Sequence, residues 1–239
     1  MSERIDNSSS KQETGRNMRS FLIRLTRLLL GLFIYGFGIV FTINANIGYA
    51  PWDVFHAGLA NTLGITLGNA SIAVGVMIVL LAMLLGERVG LGTLLNMVLI
   101  GVFIDLIMGL ELIPKSSNFF IGLLMMAVGM IVIAIATFFY IGSGFGAGPR
   151  DSLMVAVTRL TKLPVGICRA TIEILAVLAG WLLGGLLGIG TVISALSIGF
   201  FIQMTFKVIK FDPTKVKHEG LGDTFKLLMS GGVKQFDSK

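Results

Sequence analysis

The run from Phe119 to Ile141 contains no charged side chain, and the stretches Leu28 to Ile43 and Leu94 to Ile104 are of the same kind. As a helix, the first of these covers about 35 Å at 1.5 Å per residue, enough for the roughly 30 Å hydrocarbon core of a bilayer. A helix that is apolar on every side cannot rest one face on a soluble core and turn the other to water. Composition agrees: 54% of the residues are hydrophobic and 13% charged, against about a quarter charged in an ordinary soluble domain. The 31 glycines fit the same class, because small residues let membrane helices approach closely.

Hydropathy predicts six spans, over residues 20–43, 69–86, 91–110, 119–142, 169–185 and 189–207. The first is too long for a signal-peptide core and reads as a retained helix. With the N-terminus in the cytoplasm, 18 of the 19 lysines and arginines fall on the cytoplasmic side, and only Lys115 falls outside. The positive-inside rule therefore places both termini in the cytoplasm of a multi-pass protein. The net charge of +6 is a topology signal, and without aromatic residues interleaved among the basic ones it gives no reason to expect nucleic acid. One cysteine, Cys168, excludes an internal disulfide framework and reads as a small packing residue.

Sliding residues 21–110 against 119–208 without a gap gives identity at 22 of 90 positions, roughly twice what shared Leu/Ile/Val/Gly richness supplies. The informative matches are uncommon residues: Gly48 with Gly146, Pro51 with Pro149, Asp53 with Asp151, Gly68 with Gly166, Gly90-x-Gly92-Thr93 with Gly188-x-Gly190-Thr191, and Gly101 with Gly199. Each unit holds three spans, so the second must enter the bilayer from the opposite side. The predicted fold is an all-α membrane protein of six transmembrane helices in two inverted three-helix repeats, as in many transporters. The expected organisation is a disordered cytoplasmic arm over 1–19, a first repeat over 20–110, an outer link over 111–118, a second repeat over 119–208 and a basic tail over 209–239. An apolar face from Leu221 to Met229 in that tail is suited to resting on lipid or on the protein's own cytoplasmic surface.

Pro51 and Pro149 fit the first position of a helix, where a missing N–H costs nothing. Asp53 and Asp151, two residues later, meet the positive end of the helix dipole. Each pair therefore starts a short helix after the first span of its unit. Two placements are open. The helices lie at the membrane interface with the aspartates as caps, Trp52 anchoring the first, or they are re-entrant and present the aspartates to a cavity between the repeats.

Polar groups inside spans point to function, because ionisable side chains there are costly. Asp105 lies in the third span and Gln203 is its repeat partner. Glu173 lies in the fifth, with Arg169 four residues earlier as a ready partner. Asn96 is matched by Ser194. These assignments predict an outer vestibule with Asp53, His56 and Asp105, and an inner one with Arg150, Asp151, Glu173 and Gln203. The candidate substrate- or ion-binding residues are thus Asp53, His56, Asn96, Asp105, Asp151, Glu173 and Gln203. An acidic outer mouth suits a cation or a proton-coupled solute, with Asp53, Asp105 and His56 exchanging protons if desolvation shifts them.

The glycine-rich segment 142–148 lacks the Gly-Lys-Ser/Thr of a phosphate loop, and His56 and His218 fall on opposite sides, so no metal pair arises. No catalytic triad or zinc-protease spacing is present; the expectation is no enzyme, no cofactor and no metal. The run Gly48-Tyr-Ala-Pro51-Trp52-Asp53, with Gly90-x-Gly92-Thr93-x-x-Asn96 and Asp105 downstream, resembles the YczE/YitT-type group of bacterial integral membrane proteins over about residues 20–210. The resemblance implies a bacterial cytoplasmic (inner) membrane protein and supplies no catalytic residues. The expected function is a small secondary transporter working by alternating access, proton-coupled in one form, for an unknown small solute or cation. The competing expectation is a non-transporting scaffold or regulator that docks a cytoplasmic partner. Partners beyond the lipid bilayer are that solute and, with only six spans in 25.6 kDa, room for a homodimer.

Overall fold

A computed structural model describes residues 18–225 apart from residues 88, 217 and 223, together with the backbone of the first helix from Ser2. The arm expected to be disordered over 1–19 has helical backbone from Ser2 onward as part of the first helix, while the side chains of residues 2–17 and the part of the 221–229 stretch beyond 225 lie outside the described residues. The chain forms α1 (Ser2–Asn44), α2 (Pro51–Leu63), α3 (Leu67–Leu84), α4 (Leu91–Gly109), α5 (Phe119–Ile141), α6 (Pro149–Thr161), α7 (Val165–Leu182) and α8 (Ile189–Ile209), with no strand among the described residues. Six segments are long and apolar enough to cross a membrane: Met18–Asn44, α3, α4, α5, α7 and α8. They match the six spans read from hydropathy. The largest shift is at α7, which starts four residues earlier because Pro164 stands just before its first turn, where proline suits a helix entry.

Helices α1 and α5 run antiparallel through the middle of the molecule. Gly31 packs on the backbone of Ala136 and Tyr140, Gly38 on Gly129 and Ile133, and Gly122 on the carbonyl of Ala45. A Cβ on Gly38 would come within 3.0 Å of the Gly129 carbonyl oxygen, so glycine is what allows the two backbones to touch. Helix α4 flanks α1 and α8 flanks α5. The short helices cross over: α2 packs on α7 and α3, while α6 packs on α3 and α7. Helix α2 does not lie on the surface. Seven of its 13 residues are buried, and a Cβ on Gly180 of α7 would stand 2.5 Å from Phe55 Cα.

Two matching junctions lock the long helices together. The Gly92 N–H at the start of α4 donates to the Phe145 carbonyl at 2.8 Å, and the Gly190 N–H at the start of α8 donates to the Ile47 carbonyl at 2.8 Å. Gly90 and Gly188 each donate to the threonine three residues on, at 3.2 Å. The repeated Gly-x-Gly-Thr motif is thus a helix start against which a loop backbone docks. The loops bend at Gly48 (φ 117°) and Gly146 (φ 118°), a conformation that L side chains rarely adopt.

One end of the bundle carries the basic residues. There Arg24 pairs with Glu219 at 2.5 Å and donates from Nε to the Ser143 carbonyl at 2.8 Å. Glu219 N–H donates to the Gly144 carbonyl at 2.8 Å and Leu221 N–H to that of Val89 at 3.1 Å. The described part of the tail is therefore folded back onto its own chain. The other end, hereafter the far end, holds the α4–α5 and α7–α8 links.

Candidate functional site

The starts of α2 and α6 meet head to head. Proline occupies the first turn of each, and neither N-cap residue, Ala50 or Gly148, offers a capping side chain. Trp52 and Arg150, which correspond under the 98-residue offset, stack with the guanidinium 5.1 Å from the indole ring centre. Arg150 also lies 4.0 Å from the Asp53 carboxylate. Around this meeting point is a cavity of about 400 Å³, within the usual size range of small-molecule sites. Every long helix contributes to its wall.

Its polar wall gathers residues from both halves. Asp53 is 4% exposed, and His56 Nδ1 stands 3.3 Å from its Oδ1. Burial pushes His56 below the ordinary imidazole range, against the opposing pull of Asp53, so at neutral pH the ring is a dipole beside the carboxylate and not a cation. Arg169 and Glu173 form an ion pair at 2.9 Å one turn apart on α7, and both line the cavity with Asn96 and Ser194.

Asp151 differs from its counterpart Asp53. Its side chain is exposed, and the residue lines the cavity. Among the described residues it makes no hydrogen bond and no ion pair. Burial pushes its carboxyl above the usual range, with Arg169 and Arg150 opposing the shift and Glu173 adding to it. Near it is Tyr140, 4% exposed and among the residues that line the same cavity, whose buried hydroxyl has no hydrogen-bond partner among the described residues. Buried polar atoms are nearly always paired, so an orphan on a cavity wall marks where a ligand or water belongs.

Asp105 and Gln203 lie elsewhere. Asp105 accepts hydrogen bonds from the Thr66 hydroxyl at 2.5 Å and the Gly68 N–H at 2.8 Å, tying the start of α3 to α4. Gln203 is exposed on α8. The division into an outer group with Asp105 and an inner group with Gln203 is therefore not the observed one. Asp53, His56, Arg150, Asp151 and Glu173 share one cavity, because the two short helices point their starts at each other. Sequence reasoning also passed over Tyr35 and Tyr140. The available signal was rarity: the chain has three tyrosines, and these two sit inside apolar spans and line the cavity.

Chemically, the site offers a guanidinium, the positive ends of two helices, an unpartnered carboxyl and an unpartnered phenol. Such a set can hold a small polar solute or cation and can gain or lose a proton. No group of three His, Cys, Asp or Glu suited to a metal occurs among the described residues.

Residues 22–207 match the model of a family of unknown function, DUF6198. The chain is 35% identical over 189 residues to the uncharacterized membrane protein YczE of Bacillus subtilis strain 168, covering 78% of this chain and 87% of that one. It is 32% identical over 182 residues to an uncharacterized protein of Haemophilus influenzae, covering 76% and 83%. With the uncharacterized protein YyaS of Bacillus subtilis it shares 24% over 186 residues, covering 76% and 91%. No solved structure matches the chain. With its helical bundle, six candidate spans and coverage of most of these relatives, the chain belongs to the YczE-type family of membrane proteins.

Proposed function

We propose that this protein is a small secondary transporter that binds a polar solute in the central cavity by alternating access. The observation that carries the reading is the head-to-head meeting of α2 and α6 on a cavity of about 400 Å³. In transporters, broken helices aim their ends at a site near the bilayer midplane, and irregular backbone at that depth is tolerated only where it lines a cavity. On this reading α2 and α6 are re-entrant.

Contacts that exchange between the halves, as an inverted two-fold relation would require, support the same reading. Under the 98-residue offset, the contact of Gly31 with Ala136 exchanges with that of Gly38 with Gly129, and the bond of Gly92 to Phe145 exchanges with that of Gly190 to Ile47. The positive-inside rule makes the basic end cytoplasmic, as expected for a bacterial inner membrane. Asp151 is the proposed proton or cation acceptor and Tyr140 its neighbour in binding. Arg150, held between Trp52 and Asp53, would meet an anionic or carbonyl group of the solute.

To test this, the purified protein is reconstituted with a pH-sensitive dye inside the vesicles. Amino acids, organic cations and small carboxylates are then added across a pH gradient. At least one class should dissipate the gradient in the wild type, with loss of more than tenfold in Asp151→Asn. Unchanged gradients across all three classes, or wild-type rates in both Asp151→Asn and Asp53→Asn, would remove the reading.

A further inference from the structure

The two halves match in sequence but not in how their last two helices pack. Helices α3 and α4 are closely joined, whereas α7 and α8 scarcely touch. The glycines report the difference. A Cβ on Gly101 would lie 2.5 Å from the Gly68 carbonyl oxygen, and one on Gly68 would collide with the Gly101 carbonyl and the Asp105 carboxylate. Their repeat partners Gly199 and Gly166 have nothing within 4 Å of an added Cβ. No contact in the described structure requires glycine at either position.

The polar partners differ in the same way. At the start of α3, the Gly68 N–H is taken by Asp105 and the Asn69 N–H by the Thr66 hydroxyl. At the start of α7 the N-cap is Pro164, there is no capping side chain, and the Gly166 N–H has no acceptor among the described residues. Gln203, the repeat partner of Asp105, stands exposed on α8. The cavity reaches both helices: Ile172 and Glu173 of α7 and Ile198 and Ile202 of α8 line it.

From this asymmetry we infer that α3–α4 and α7–α8 are the two gates of the molecule. The far-end gate is shut by the Gly68–Gly101–Asp105 clasp, and the basic-end gate is open. In the opposite state, α7 closes on α8 with Gly166 against Gly199 and the Gln203 side-chain oxygen accepting the Gly166 N–H, while the α3–α4 clasp releases. Both closed gates use the same physics: glycines let two helix backbones meet, and one acceptor caps the exposed start of the partner helix. The inference rests on the transport reading for its purpose, but its geometry is testable without any solute.

The test uses disulfides in a Cys168→Ala background, with Ser71→Cys on the cavity wall as a reporter for a membrane-impermeant maleimide. The double substitution Thr66→Cys/Asp105→Cys replaces side chains in contact and should cross-link readily under mild oxidation. The counterpart Pro164→Cys/Gln203→Cys should cross-link more slowly, through the minor state. Once it is formed, maleimide labelling from the basic side should fall at least tenfold and labelling from the far side should rise; reduction should restore both. Adding Gly199→Leu, whose Cβ meets nothing within 4 Å in the present structure, should block the second cross-link and leave the first intact. Failure of Pro164→Cys/Gln203→Cys to cross-link even on prolonged oxidation, long after the Thr66→Cys/Asp105→Cys bond is complete, would overturn the gate assignment. So would a cross-link that leaves basic-side labelling unchanged, or one that forms equally well with Gly199→Leu. Gate exchange without solute flux would instead leave the gates standing and count against transport.

Discussion

Asp105 is the residue whose role changes most between sequence and structure, and its contribution can be worked from two hydrogen bonds. It accepts from Thr66 at 2.5 Å and from Gly68 at 2.8 Å. A hydrogen bond to a charged group is worth about 1.5–3 kcal/mol, and partial exposure at this end of the bundle lowers that to about 1 kcal/mol each. Asp105→Ala should therefore cost about 2–3 kcal/mol, which includes leaving the first turn of α3 without its anion. Asp105→Asn, which keeps one acceptor oxygen, should cost about 1 kcal/mol. Thr66→Val also loses the cap to Asn69 at 3.1 Å, worth about another 1 kcal/mol, but that loss is present in both Asp105 backgrounds and cancels in a double-mutant cycle. The assay is reversible denaturant unfolding in detergent micelles for the wild type, Thr66→Val, Asp105→Asn and the double variant. A coupling energy of about 1 kcal/mol is expected; one below about 0.3 kcal/mol, the range of independent sites, would refute the clasp.

Three further outcomes follow from the geometry. Tyr140→Phe removes a buried hydroxyl that has no protein partner and should raise stability by up to about 1 kcal/mol while weakening solute binding; a loss above 1 kcal/mol in the same unfolding assay would show a hidden partner. His56 is held below its ordinary pKa of 6.5 by burial, so below that pH the unfolded chain binds the proton more readily than the folded one. The contribution of His56 to stability should therefore fall as pH drops below about 6.5 and stay flat above it, and His56→Gln should remove that part of the acid limb of a stability–pH profile. Gly180→Ala drives a methyl into the backbone of Phe55 and should cost about 1–3 kcal/mol by overpacking, whereas Gly199→Ala meets nothing and should gain up to about 1 kcal/mol from helix propensity. Equal thermal unfolding of the two variants would contradict the packing described for α2 on α7.

Local chemistry made several elements legible in advance. The short helices start at Pro51 and Pro149 as proline geometry requires, and the Arg169–Glu173 pair follows from four-residue spacing on a helix. Phe119–Ile141 is a span because an uncharged run of that length has few other solutions. What local chemistry could not supply was how distant segments meet. Asp105 and Asp53 both read as acids of one outer vestibule, and nothing in the spacing says that one clamps α3 to α4 while the other faces a cavity. Tyr140 looks like one more aromatic residue in an apolar run until its hydroxyl is found without a partner.

Taken alone, then, the sequence determined the membrane class, the six apolar helices, the two short helices and the repeat, because each depends on runs, periods and residue identities along the chain. Only the tertiary structure decided that α2 and α6 meet start to start on one cavity, and that equal glycines close α3 on α4 while leaving α7 apart from α8. The physical reason is that a repeat fixes which residues correspond, whereas contacts between helices depend on a relative placement that two chemically similar halves can adopt in different ways.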